Sequence, residues 1–395
     1  MLRTFRQKRP GFISLMAVVA AVFLFVIGVG LLSLGFSRRL YSIRSNHQLA
    51  ARCAADYGLT KAVHEMNLRL PVLNNSNLPA ENSVQISGSD ATYSYTVTYT
   101  AANTEHPYSV RAYGRSGSIT KTVLCDLRLK GLFEYAILTK NSLDIGSCSS
   151  VGCNNCPDDD QLKIGTTNNP DAEIILKPNS VIDGDILLGQ GGTPSVVIGP
   201  GATYNDIYAV ATDFDLVTPA VPDDFASSAS NLGTISNSSS INTPGKYICE
   251  KIDLKTGGTL DINADVELWV KGDIILKNDA NIVVAPNAKL TIYLGGTLDG
   301  FYGTGFNNGG EPNKLTIYGV PSSGITIKNN GDFCGTIYAP NADVHMYNNT
   351  KIYGSVIANN YKQDNSATFL YDASLRKASI EDKFVRFVPT HWREQ

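Results

Sequence analysis

Three of the seven cysteines stand in the run Cys148-x4-Cys153-x2-Cys156-Pro157, with Asp158, Asp159 and Asp160 directly after it. Thiolates so spaced can bind zinc, or hold part of an iron–sulfur cluster whose last ligand is distant; Cys249 or Cys334 would then serve. In an oxidising compartment the same thiols close as disulfides instead. The anchor described below exports this region, and clusters are rarely assembled on exported, unfolded chains. Disulfides among Cys125, Cys148, Cys153, Cys156, Cys249 and Cys334 are therefore the expectation, with no metal and no cofactor. Spacing leaves their pairing open. A calcium ion needs about six to eight oxygens arranged around it, which three adjacent carboxylates cannot supply, so Asp158 to Asp160 read as a solvated turn.

Acid chemistry on a stack of short strands would use Asp clustered with Arg or Lys, as in enzymes that cleave acidic polysaccharides. Asp261, Asp265, Asp273 and Asp299 are the candidates. They occur singly, and no Arg stands between residues 130 and 375 to stabilise a developing carboxylate charge. His345 lies two residues from Asp343 on one strand, with no nucleophile placed beside it, and reads as a surface contact. Tyr293, Phe301, Tyr302 and Phe306 could stack on sugar rings. No catalytic residue is assigned.

The elements that carry these residues follow from composition. The chain has 395 residues, 43% apolar and only 17% charged, with 33 Lys+Arg against 36 Asp+Glu. A net charge of −3 gives no basic stripe, so nucleic acid is not an expected partner. Gly (35) far outnumbers Met (4), and Thr, Ile, Val and Asn are frequent, which predicts a mostly β protein.

The first seventy residues differ. Residues 12–36, Phe12 to Phe36, carry no charge. A helix of that length spans roughly 37 Å, enough to cross a bilayer with tilt. It exceeds the usual hydrophobic core of a secretory signal, and no small-residue cleavage site precedes Arg38. Arg3, Arg6, Lys8 and Arg9 precede the span in a short basic leader, 1–11, which predicts a single pass with the N-terminus inside and the bulk outside the cytoplasmic membrane. No proline interrupts the helical pattern before Pro71, so one helix is expected over 12–70. Ala50, Ala51, Ala54, Ala55, Gly58, Ala62 and Met66 form a small-residue stripe on its outer half, suited to close packing.

At the span's start, RPGFISLM (9–16) resembles a type IV prepilin leader, and ARCAADYGLTKA (51–62) is similar to the A-A-E-A-G-L segment of the PilX-type minor pilin N-terminal family. The resemblance implies cleavage between Gly11 and Phe12 by a prepilin peptidase. It also implies other pilin-like subunits or their assembly machinery as partners. Met16 stands where major pilins carry a glutamate that pairs with a neighbouring subunit's amine in the membrane. Without that carboxylate the chain would suit a tip or initiating position, as in the similar pseudopilin K, rather than mid-filament.

Beyond the helix, SYTVTY (94–99), YSVRAY (108–113) and ITKTVLCDLRL (119–129) alternate between polar and apolar and predict an antiparallel meander over 82–130. From 131 to 375 the strands shorten. A pentad recurs as GDILL (184–188), NDIYA (205–209), GDIIL (272–276), GTIYA (335–339) and GSVIA (354–358). Its intervals read as one, three, three and one units of roughly 21 residues, the length of a solenoid turn. The predicted class is mainly β with a long N-terminal helix: a small meander, then a right-handed β-solenoid (β-helix). A β-sandwich would prefer longer strands and Asn-Gly hairpins, which are rare here. The Ser-rich segment within 217–245 reads as a loop, and 376–395 as a C-terminal tail. The stretch 334–375 resembles a domain of unassigned function, thought of as structural, that follows pilin-like anchors in bacterial surface proteins.

The expected role is non-enzymatic: a membrane-anchored, pilin-like structural or assembly protein of the pilus or cell surface. The alternatives are an anchored adhesin binding surface glycans and a polysaccharide-active β-helix enzyme.

Overall fold

A computed structural model describes the chain except residues 1–10, 74, 102, 104–105, 157–161, 168–172, 190–194, 210–215, 321–323 and 378–384. It divides into two compact units, Met1–Leu129 with Arg386–Gln395, and Lys130–Val385.

In the first unit a single helix, α1, runs from Gly11 to Arg69. Every residue from Leu15 to Phe36 is exposed, and the helix is long and apolar enough to cross a membrane, with mean hydropathy 2.9 in its most apolar window. The outer half behaves differently. Ala51, Ala54, Ala55, Ala62 and Met66 are wholly buried. They lie against an antiparallel meander of β1 (Ala80–Gln85), β2 (Thr92–Tyr99), β3 (Tyr108–Ser116) and β4 (Ile119–Lys130). The small-residue stripe therefore does what its spacing implies: it lets backbone lie on backbone.

The segment read as a tail is a correction. Arg386–Glu394 is a strand that extends this sheet beyond β4. Asn67 of α1 clips it on both sides, donating to the Phe387 carbonyl (3.1 Å) and accepting from the Phe387 N–H (2.6 Å). Glu394 bonds Lys121 of β4 (2.9 Å) and Arg52 of α1. Pro389 argues against a central strand, but a strand at the sheet's edge tolerates it.

In the second unit the described strands form one 23-stranded sheet whose pairings are parallel. Such pairing excludes an antiparallel sandwich. Three apolar ladders run through it. One reads Leu268, Ile292, Ile317, Ile337, Val356, Ile137, Ile164, Ile186. The second reads Ile274, Leu298, Ile325, Val344, Tyr361, Leu143, Ile174. The third reads Leu260, Ile282, Phe306, Phe333, Ile352, Phe369, Val151. All of these are buried, and each fully buried Ile or Leu contributes about 1.5–3 kcal/mol.

The ladder order departs from chain order. The strand Lys351–Gln363 pairs with Ile137–Ile145, so the first strands of the unit lie beyond its last ones. After Ala209 the chain returns to the opposite end and resumes at Ser230. The described part of the return, 216–229, crosses the outside of the strands: Tyr338 Oη donates to the Val217 carbonyl (2.7 Å), Asn341 to Thr218 Oγ1 (2.7 Å), and Phe225 is fully buried.

Two sequence expectations are corrected here. The serine-rich stretch is largely strand, Ser230–Ile235 and Ser239–Ile241, because Ile235 and Ile241 point into the core while the serines face out. Of the pentad intervals, only the short ones are neighbours: Gly335 pairs with Gly354, and Ile186 with Ile207. GDIIL does not stack above GTIYA; Ile274 belongs to the ladder of Val344, whereas Ile337 continues that of Ile292 and Ile317.

Candidate functional site

Of the six candidate cysteines, Cys153 and Cys156 form a disulfide. Cys125, Cys249 and Cys334 are buried with free thiols; Cys148 and the helix residue Cys53 are free and exposed. The full disulfide set is thus a correction: Cys249 points into the parallel core and Cys125 lies in the meander of the other unit. Among the described residues, no three His, Cys, Asp or Glu side chains are grouped to hold a metal. Asp158 to Asp160 lie outside the described residues.

Burial pushes the Cys125, Cys249 and Cys334 thiols up to about 12, with Asp126, Glu250 and Asp372 respectively adding to it. Unfolded thiols ionise lower, so these groups withdraw stability as pH rises above about 9. Reactivity follows. Without reductant, an aromatic disulfide reagent should titrate two thiols rapidly in the folded chain, five after denaturation, and seven only after reduction. Seven reactive thiols in the denatured, unreduced chain would mean that no bridge is closed and would sink this assignment.

The aromatic candidates separate. Tyr293 and Phe306 are 1% and 0% exposed, so neither can offer a ring to a ligand, a correction to the sequence reading. Phe306 belongs to the third ladder. Tyr293 sits in an outward row, Trp269–Tyr293–Tyr318–Tyr338, that the returning segment covers; Phe225 packs edge-on against Tyr293 at 5.4 Å. The cover is remote in sequence, so local pattern could not reveal it. Tyr302 is exposed, and Phe301 lies under the ammonium groups of Lys328 (3.9 Å) and Lys277 (4.6 Å).

The acids do not converge. Asp261 is on the strand Thr259–Ile262, Asp299 on Leu298–Gly300, and these belong to different ladders. Asp273 accepts from the Thr297 N–H (2.7 Å) and hydroxyl (3.0 Å), a structural role. His345 pairs with Asp364 (2.9 Å) rather than Asp343, which accepts from Asn359 and Asn360. Burial pushes the Asp364 carboxyl up, but the hydrogen bonds from His345 and Lys362 together outweigh it and hold the group below its usual value. Asp185 is pushed the other way, first by burial and then by Asp206, just before the adjacent strand, against the pull of Lys163.

The second unit carries a groove of about 740 Å³, missed by motif reading because no motif marks it. It runs over the outer face of the strands Val266–Val270, Leu290–Leu294 and Leu315–Gly319. Its charged lining is Lys246, Lys289, Lys314 and Lys377 against Asp265 and Glu267. Lys246 is held by Asp224 and lies 3.9 Å from Glu267. The signal available in sequence was only Lys289 and Lys314 at the starts of two strands 25 positions apart in register.

Residues 210–378 match the model of a family described as a domain of unknown function, DUF7305. That span includes the returning segment and the strands after it; the strands from Ile137 to Ala209, which continue the same ladders, fall outside. No curated protein matches the chain. Among solved structures, the chain is similar to the competence-associated pilin ComZ from Thermus thermophilus, at 11% identity over 89% of this chain and 98% of that one, with a TM-score of 0.25.

Proposed function

We propose that this chain is a non-catalytic, pilin-like structural or assembly protein. It holds a right-handed β-solenoid outside the cytoplasmic membrane, with its three apolar ladders as the solenoid's inner faces. The observation that carries the reading is the division of labour along α1. Its first half exposes an unbroken apolar surface that only lipid or other apolar helices would cover. Its second half buries an alanine stripe against an antiparallel sheet. A shared helix, half for the membrane and half for a head domain, is the architecture that the prepilin-like Gly11–Phe12 junction implies. Met16 supplies no carboxylate within the span, which favours a minor, tip or initiating subunit over a repeating one. The absence of any arginine between residues 130 and 375, and the use of Asp273 to hold Thr297, support a structural role over polysaccharide cleavage.

The exported protein should be extracted from membranes only with detergent, and its N-terminal sequence should begin at Phe12. An intact leader would remove pilin-type processing and leave an ordinary signal anchor. Recovery in the soluble fraction without detergent would overturn the anchor itself.

A further inference from the structure

We infer that the groove over strands Val266–Val270, Leu290–Leu294 and Leu315–Gly319 is a binding site for an acidic polysaccharide. This goes beyond the anchoring role and does not depend on pilin-type processing.

Three lysines, Lys289, Lys314 and Lys377, line the groove together with Asp265 and Glu267, the latter 3.9 Å from Lys246. Leu290 pairs with Leu315, which places Lys289 and Lys314 side by side on adjacent strands. Neither makes an ion pair or hydrogen bond through its ammonium among the described residues, and neither does Lys377, which reaches the groove from a separate segment. Like charges directly opposite one another destabilise a sheet. Other lysines of this unit have acid partners, among them Lys271 with Glu250 (2.9 Å), Lys177 with Asp144 (2.9 Å) and Lys251 with Asp253 (3.2 Å). A bound anion would relieve the unmatched stack.

The groove is elongated. From Lys246 to Thr336 it crosses five adjacent strands, about 19 Å at the usual spacing of parallel strands. One strand spacing is comparable to the advance of one pyranose unit along a polysaccharide, so charges repeated along such a chain meet lysines repeated along the stack. Thr291, Asn313 and Ser374 add neutral hydrogen-bonding groups, and Phe133 adds an aromatic wall.

An acidic peptide is the competing ligand, and the backbone argues against it. Extended peptides bind sheets by adding a strand to a free edge. Here the strands under the groove are paired on both sides, so only side chains are available. A glycan with its own hydroxyls and carboxylates needs nothing more.

The test uses the full chain in detergent and isothermal titration with hexagalacturonate, its methyl-esterified form and hexaglutamate. Saturable binding of hexagalacturonate is expected, weakened at least tenfold by the double variant Lys289→Ala/Lys314→Ala and at least threefold by Lys377→Ala. Lys289→Arg/Lys314→Arg should retain binding, and Lys351→Ala, outside the groove, should leave it unchanged. Far-UV circular dichroism confirms that each variant is folded. Equal binding of the esterified oligomer, tighter binding of hexaglutamate, unchanged affinity in both alanine variants, or no binding of hexagalacturonate overturns the proposal.

Discussion

Replacing Gly114 by valine should detach α1 from its sheet and lower the first unit's melting temperature by about 10 °C or more. Gly114 lies on β3 between Tyr93 and Lys121, under the helix. A Cβ there would stand 1.9 Å from the Ala51 carbonyl oxygen and 2.3 Å from the Ala55 nitrogen. Both are backbone atoms, so no rotamer change can yield space; the helix itself must move. Moving it uncovers Ala51, Ala54 and Ala55, which are fully buried and whose backbone atoms lie against Gly114. The cost should be about 3 kcal/mol or more, the upper range for forced overpacking. That is a large share of a domain stability of roughly 5–15 kcal/mol. Gly30→Ala is the control, because a Cβ at Gly30 meets nothing within 4 Å. Thermal unfolding in detergent, followed by near-UV circular dichroism, reads the difference. Equal melting of the Gly114→Val and wild-type chains would mean that helix and strand are not in backbone contact.

The close approach at Gly114 was legible as half a statement. The alanine stripe from Ala51 to Met66 shows that something packs tightly on the helix, but a single sequence does not say what. The strands 94–99, 108–113 and 119–129 were legible because one of their faces is solvated, which leaves a period of two in the residues. The Arg386–Glu394 strand was not. Its partners, β4 and Asn67, lie hundreds of residues earlier, and its own pattern is broken by Pro389. The parallel ladders were legible as a class from short apolar alternation separated by Gly and Asn. Their order was not. Nothing local in 210–229 signals that the chain returns to the far end before building on, so a uniform period assigned distant pentads to one ladder. The same ignorance cost the site. Tyr293 looks like an exposed ring in its own strand, and only the returning Phe225 buries it. Lys289 and Lys314 look like ordinary strand-end charges until the register sets them side by side.

Gly354→Ala should open the second unit between two of its late strands, one pairing from where they meet its first strands. Gly354 has φ +146°, a conformation that L side chains rarely adopt, and pairs with Gly335. An added Cβ would stand 1.7 Å from the Gly335 carbonyl oxygen and 2.8 Å from its carbonyl carbon. Gly335 has no room to retreat, since its own Cβ position is 2.8 Å from the Leu315 carbonyl oxygen. Even one methyl group therefore separates the strands Asp332–Met346 and Lys351–Gln363, at about 3 kcal/mol or more from strain and overpacking together. Two residues on, Val356 pairs with Ile137, and through it the chain's early strands join the ladder. Loss should therefore spread asymmetrically. Amide exchange should accelerate at least tenfold along Ile137–Ile145 and Lys351–Gln363, while Thr259–Ile262 and Ile274–Leu276, several pairings away, keep their protection. Gly257→Asn is the matched control: Gly257 also has positive φ, at +71°, but a Cβ there meets nothing within 4 Å, and asparagine tolerates that region. Its cost should stay below about 1 kcal/mol. If exchange at Ile137–Ile145 is unaltered by Gly354→Ala, the early strands do not depend on the late ones, and the permuted order of the ladders is wrong.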